Sequence, residues 1–430
     1  MAEPAVDRSH VADVAVVGGG LAGLSAARHV YRANRRVVVL EARGEVGGRT
    51  RSRPLGGNVA DFGGEWIGRA HRRARALARE FGLRVEPAHN LGYPIRWRLP
   101  SGVVDGRLPP RGMRRDLVRL LFTAGRLAAK LSTSAPWEMS RAHELDARST
   151  GEWVRELGVG SETYYILERL IGSLCSQRLE RFSLLHFLWW MRLAGGPLRT
   201  LHTTFQWRLP SGTQELSIRM AAELGGAVHL DSPARRVGQN GNHVIVEVED
   251  GRHYVASGAI IAAPVPYVER IEFAPPLPDR QRMLSRLHVG AGTKILALLP
   301  HGHEVRHNTV IGGERLWAGW RSGDRVTGFA APPECDLPFE ELCTDLAESF
   351  GVRPDDLRQP TVFRWADEEH IPGCDVAFAP SEVCRYGPWL TRPHDRVCFA
   401  GAERSSWPNN MEGAIESGER AAHQVLTRIQ

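Results

Sequence analysis

The spacing of apolar positions changes along the chain, and each spacing predicts an element. Residues 13–17 form a short, apolar, β-rich run. Glycines at 18, 20 and 23 follow, then an Ala-rich stretch with helical spacing to about Asn34. "VVVLE", ending at Glu41, reads as a second strand. "RAHRRARALARE" (69–80) predicts a solvated amphipathic helix with Ala76, Leu77 and Phe81 turned inward. "DLVRLLFTAGRLAAKL" and "TYYILERLIGSLC" have helical spacing, so 87–208 is predicted to be helix-rich. From 209 to 264 a helix gives way to "AVHL" and then to alternating strands, with turns at Gly241 and Gly251. "GAGTKILALLP" (290–300) has the pattern of a buried strand, yet it contains Lys294. Near the end a short strand runs to Gly401, and a last helix opens at Met411 with Asn409 or Asn410 as its N-cap.

At 430 residues the chain is long for one core, which implies two lobes. Of its 55 basic residues only Lys130 and Lys294 are lysines, and the net charge of +6 is carried by arginine. No aromatic residues interleave with the densest basic run, which argues against a nucleic-acid surface. The cysteines, Cys175, Cys335, Cys343, Cys374, Cys384 and Cys398, form no CxxC pair, so no zinc site is expected and a reducing compartment is. Asp13 interrupts the apolar start, and a glycine loop follows it, so the start reads as a strand rather than a signal peptide. No run of 18 apolar residues occurs. The expectation is a soluble cytoplasmic protein with no membrane partner; a homodimer is left open.

The first chemistry lies in the glycines. GxGxxG between a strand and a helix, with an acid closing the next strand, is the context a dinucleotide site needs. Glycine lets backbone approach a pyrophosphate, and the helix start offers free N–H groups and partial positive charge. Glu41 can accept hydrogen bonds from ribose hydroxyls.

"EARGEVGGRT" (41–50), "DFGGEWIG" (61–68) and "DRVCFAGAERSSWPNNMEGAIESGERAAHQVL" (395–426) together resemble the FAD fingerprints of the flavin-containing monoamine oxidase family, within the glutathione-reductase-like flavoproteins. The resemblance implies an α/β fold. A discontinuous Rossmann-like FAD domain would comprise 10–86, 209–288 and 384–430. A substrate domain of mixed sheet plus helices would comprise 87–208 and 289–383. It also implies FAD contacts at Gly18, Gly20, Leu21, Ala22, Gly23, Glu41, Ala42, Gly48, Gly64, Glu65, Trp66, Trp365, Gly401 and Glu403. Arg43 and Arg49 would neutralise the diphosphate, the Val237 backbone would meet adenine, and the Met411 N–H would face the flavin pyrimidine.

By the same resemblance Lys294 would hold a water against flavin N5 and assist reoxidation by oxygen; snorkelling to solvent is the plainer reading. Cys374 falls where family members form a covalent flavin link, and a plain buried thiol is the alternative. The next position, usually one wall of an aromatic cage, is Asp375, and the second wall is Asn410. Trp407 is placed to fill part of the gap, with Tyr386 and Trp389 as further candidates that fit a core better. Cys175 and Gln206 are expected in the substrate wall; Phe187, Trp189 and Trp190 read as core.

The function implied is FAD-dependent amine oxidation: hydride passes from the carbon beside nitrogen to N5, an imine leaves, and O2 becomes H2O2. With the cage replaced, the small-molecule amine is expected to be polar or multifunctional, with Asp375 as a base or as an anchor for a distal cation. Alternatives are a flavin-dependent desaturase or dehydrogenase of a non-amine metabolite, an amino-acid oxidase using Arg69, and a partner-binding flavoprotein without activity.

Overall fold

The structure is a computed structural model, and it describes residues 11–88, 93–196, 205–287, 289–332 and 336–430. Cys335 and the start of the expected wall segment 203–212 lie outside the described residues. Val11–Val17 is almost wholly buried from Val14 onward, as a central parallel strand must be. It pairs in parallel with Val37–Leu40 and with His253–Ile261, so Val17, Leu40 and Ile261 end at one level. Val397–Phe399 joins His253–Ile261 in parallel, Phe399 opposite Ile261. The eight-stranded sheet thus gathers strands from 11–40, 228–274 and 397–399. The helices Leu21–Arg32 and Met411–Arg428 pack on it with the valines of the parallel strands beneath them.

A second, seven-stranded sheet runs Arg358–Arg364, Thr293–Leu298, Arg325–Ala330, Ala318–Ser322, Thr309–Ile311, Ile95–Leu99, Gly102–Gly106. It is mixed: only Thr309–Ile311 and Ile95–Leu99 pair in parallel. Beside it, the helices Arg111–Ala128, Ser161–Cys175 and Leu184–Leu193 share a core with Phe182, Phe187, Trp189, Phe378 and Tyr386. The α/β class, with a Rossmann-like sheet and a mixed sheet plus helices, is the one the sequence implied.

Two local expectations shift. The helix Arg72–Glu80 buries Ala74, Leu77 and Ala78 and leaves Ala76 exposed. The inward stripe is i, i+3, i+4 from Ala74, and Ala76 falls off it. The helix anticipated from Asp116 begins at Arg111, directly after Pro110, which ends the preceding loop as the N-cap residue.

Candidate active site

A cleft opens at the carboxyl ends of the parallel strands, the place where open α/β sheets bind ligands. Gly18, Gly20, Leu21, Ala22, Glu41, Ala42, Gly48, Arg49 and Gly64 line one end. Lys294, Trp365, Cys374 and Asp375 line the side toward the second sheet, and Gly401, Glu403, Asn410 and Met411 close it. Segments hundreds of residues apart therefore meet in one cleft.

The glycine turn is tight for a stated reason. Gly18 has φ +108°, and a Cβ on Gly23 would lie 1.9 Å from the Gly18 carbonyl oxygen. The helix Leu21–Arg32 starts at Gly20, whose missing side chain leaves the first-turn N–H groups uncapped toward the cleft. Glu41 accepts from the Gly19 N–H at 2.6 Å and the Arg43 N–H at 3.0 Å.

The two arginines expected on the diphosphate part company. Arg49 lines the cleft, is ion-paired with Glu403, and donates to the Cys374 carbonyl at 3.0 Å. Burial works against its charge, but Glu403 outweighs burial and holds the guanidinium above its usual range. Arg43 does not line the cleft; it pairs with Glu368 at 3.4 Å and donates to the Gly48 carbonyl at 3.2 Å. For Glu403, burial pushes the carboxyl up and Arg49 brings it below the usual range. Neither Glu403 oxygen has an aligned hydrogen-bond donor, although both are buried. A buried carboxylate with one oxygen outside the Arg49 ion pair, on a cleft wall beside a glycine cradle and uncapped helix N–H groups, fits a hydroxyl-rich dinucleotide.

Lys294 sits on the all-buried strand Thr293–Leu298 and is 7% exposed, so it does not snorkel. Its Nζ donates to the carbonyls of Gly63 (2.7 Å) and Asp61 (3.1 Å) and lies 3.4 Å from Glu65 Oε2. Three acceptors match the three donors of an ammonium. Glu65 is held in turn by the Trp320 indole N–H at 3.1 Å and lies 3.5 Å from Arg325. Trp66 packs edge-on against Trp320, behind this network and off the cleft wall.

Asp61 lies at the edge of the same network. Burial, then the nearby Glu65 charge, pushes its carboxyl from the ordinary 3.8 up to about 6. A carboxyl that binds its proton more tightly when folded contributes most below its unfolded pKa. That contribution is lost as pH rises through about 6, amounting to roughly 3 kcal/mol. Asp61→Asn is therefore expected to gain stability relative to wild type between pH 4 and 7, as read from urea midpoints. An unchanged difference across that range would refute the assignment.

Beside Lys294 the cleft wall is Cys374–Asp375. Ser176, in a left-handed turn at φ 49°, donates to Asp375 Oδ2 at 2.8 Å and lies 3.0 Å from Cys374 Sγ. The Gly292 N–H also reaches Cys374 Sγ, at 3.2 Å. Burial, then Asp375, pushes the Cys374 thiol well up; burial also raises Asp375, against the pull of Ser176 and Arg49. Asn410 is the N-cap of the last helix, accepting from the Gly413 N–H at 3.2 Å. Asn409 clamps Val376 with two hydrogen bonds, 3.0 and 2.7 Å, and so fixes the strand that carries Asp375.

Several anticipated residues stand back from the cleft wall. Val237 is buried in the core of the first sheet, and Ala234, three residues earlier, lines the cleft instead; the strand alternates, and its first residue is the one beside the ligand end. Gly23 and Glu65 support the wall from behind. Cys175 belongs to the helical core, Gln206 has a buried side-chain oxygen without a partner, and Trp407 packs edge-on against His71. Tyr386 is also in the helical core, and Arg69 is exposed. The cleft adds Ala262, Ala263, Tyr267, Phe329, His370 and Ile371, which the motifs did not mark. Ala262 and Ala263 were within reach, since they follow a parallel strand end. Tyr267 and His370 meet through a 3.1 Å contact across 103 positions, for which the sequence holds no signal.

The sequence model described as flavin containing amine oxidoreductase matches residues 21–426. AofH of Mycobacterium tuberculosis is 32% identical over 445 residues, 97% of each chain. Human flavin-containing amine oxidase B is 30% identical over 453 residues, 97% of this chain and 86% of that one. A solved putrescine oxidase carrying two substitutions superposes with a TM-score of 0.90 at 25% identity, over 97% of this chain and 100% of that one. With cleft and comparisons in agreement, this chain belongs to the flavin-containing amine oxidoreductases, and its cofactor is FAD.

Proposed function

We propose that the chain oxidises a small amine bearing a second cationic or polar group, with oxygen as electron acceptor and hydrogen peroxide and an imine as products. The observation that carries this is the Asp375 carboxylate on the cleft wall, fixed by Ser176 and by the Asn409 clamp, in a cleft that Asn410 also lines. A solved relative is putrescine oxidase bound to putrescine, a match at TM-score 0.88 and 25% identity. That neighbour supports a diamine-sized substrate class here.

FAD, when bound, supplies acceptance of a hydride from the carbon beside nitrogen and passes the electrons to oxygen. The residues that would hold it are the 18–23 glycine turn, Glu41, Arg49, Glu403 and the Met411 N–H; in this reading Cys374 would carry a covalent link. The protein's own work is orientation and electrostatics. Asp375 anchors a distal ammonium and so turns the reacting nitrogen toward the flavin. As a base at the reacting nitrogen it would instead raise the amine pKa. Keeping an amine of pKa about 10 neutral at pH 7 already costs about 4 kcal/mol, so the distal role is the one we assign. Lys294 lines the cleft with its Nζ held by the Gly63 and Asp61 carbonyls and beside Glu65. The same reading keeps the division into a cofactor lobe (10–86, 209–288, 384–430) and a substrate lobe (87–208, 289–383).

The test compares a diamine with the monoamine of equal chain length on FAD-loaded protein, by peroxide release. Asp375→Asn is expected to lower kcat/KM for the diamine about 30-fold or more, as for loss of one partner of a buried charge pair. The monoamine should change by no more than a few-fold. An equal loss for both substrates would remove the distal role, and silence of the wild type on every amine would remove the activity.

A further inference from the structure

We propose that the helix Arg111–Ala128, with the loop before it, is a docking face for an anionic lipid surface. Residues 107–130 contain Arg107, Arg111, Arg114, Arg115, Arg119, Arg126 and Lys130 against one acid, Asp116. That is a local charge of +6, as large as the formal net charge of the whole chain. Asp116 is turned to internal work, accepting from the Gly160 N–H and Thr163 and pairing with Arg119.

The same stretch and the hairpin strand before it collect exposed apolar side chains. Val103, Val104, Leu108, Val118 and Phe122 are 43–66% exposed. They make up five of the twelve large hydrophobic residues found exposed among the described residues, so the clustering is not the ordinary scatter of a protein surface. The helix has two faces. Met113, Leu120, Ala124 and Ala128 are buried. At 100° per residue the opposite face carries Val118 and Phe122 at its centre, with Arg111, Arg115 and Arg126 along it and Arg114 and Arg119 at its flanks. Arg126 lies over the Phe122 ring at 5.6 Å. Val104, on the edge strand, pairs with Trp97 on the next strand, and Trp97 shares a cluster with Met113 and Leu117, so the hairpin and the helix are neighbours.

An apolar centre ringed by arginines is the pattern of a helix lying in a lipid interface: Phe and Val enter the acyl boundary while arginines reach back to headgroup phosphates. A second copy of the chain is a poor occupant, since the face would meet its own positive charge. No helix among the described residues is long and apolar enough to cross a membrane, so the contact proposed is peripheral.

The test is co-flotation of the FAD-loaded chain with vesicles of zwitterionic lipid, with and without about a third of anionic lipid. Binding is expected only with the anionic lipid and should fall in high salt. Replacing both Arg111 and Arg115 with Glu should weaken it roughly fivefold or more per charge removed. Replacing both Val118 and Phe122 with Ser should weaken it about tenfold or more at low salt, while retained flavin colour reports an intact fold. Absence of binding to anionic vesicles at low salt overturns the proposal. So does binding that the Val118 and Phe122 changes leave intact, which is adhesion by charge alone. Self-association that those changes abolish would assign the face to a second copy and overturn it as well.

Discussion

Lys294→Met is expected to slow reaction of the reduced holoenzyme with air by about 10²–10³-fold, the range for losing one preorganised charged or hydrogen-bonding group at a reacting centre. Anaerobic reduction by the amine substrate should change by less than about tenfold, since the lysine is given no part in that half of the cycle. Mixing reduced protein with air-saturated buffer and following flavin absorbance measures the first rate; anaerobic mixing with amine measures the second. The geometry says which of the three lysine donors is available. The carbonyls of Gly63 and Asp61 hold two at 2.7 and 3.1 Å, while the contact to Glu65 is looser at 3.4 Å. A water or cofactor atom would compete with Glu65. Removing the ammonium also leaves Glu65 buried without its cation, a loss of about 3–5 kcal/mol for a pair with no other partner. Arg325 and the Trp320 indole reduce that cost here. Adding Glu65→Gln should restore most of the stability and none of the oxygen reactivity. Reoxidation at the wild-type rate in a Lys294→Met protein that retains its flavin would end the assignment.

What could be read in the sequence was what rests on short-range geometry. The 18–23 turn needs glycine because a Cβ on Gly23 would meet Gly18 backbone, and that requirement is visible in six residues. The isolated lysine was visible because a charge in an apolar strand is costly unless it has partners. Its partners were not, since Asp61, Gly63 and Glu65 reach it across about 230 positions. Asp375 was marked as a departure from a family pattern, but its setting was hidden. Ser176 reaches it from 199 positions away, and Asn409 holds the neighbouring Val376 from 33, through a left-handed turn and a helix entrance. Val237 shows the converse: an alternating strand identifies two faces, and only the sheet order says which end of it meets the ligand. Arg43 reads as a phosphate partner until Glu368, brought in from the second half of the chain, engages it.

Gly23→Ala is expected to yield protein that holds little or no FAD. Alanine in place of glycine within a helix ordinarily gains about 1 kcal/mol, so any loss must come from space. The new Cβ would stand 1.9 Å from the Gly18 carbonyl oxygen, 3.0 Å from the Gly18 carbonyl carbon, and 3.2 Å from Ala262 Cβ. Two of these atoms are backbone and cannot swing aside, so the helix must move off the strand end. Overpacking of this kind costs about 3 kcal/mol or more, equivalent to an FAD affinity lowered roughly 100-fold. The helix cannot retreat freely either, because its other side is pinned. A Cβ on Gly418 of the last helix would lie 2.2 Å from the Ala22 carbonyl oxygen, so the two helices already touch backbone to backbone there. Gly418→Ala is expected to displace the same helix from the opposite side and to lower FAD affinity by a similar factor. The pair should then couple, the double variant losing more than the sum, because each change blocks the movement that would relieve the other. Gly226→Ala is the control: no atom lies within 4 Å of its Cβ, and it should stay within about 0.5 kcal/mol of wild type. Titration of apo protein with FAD, followed by flavin fluorescence and melting temperature, separates these outcomes. A Gly23→Ala protein that binds FAD and melts like the Gly226→Ala control would show that the cradle tolerates what its geometry forbids.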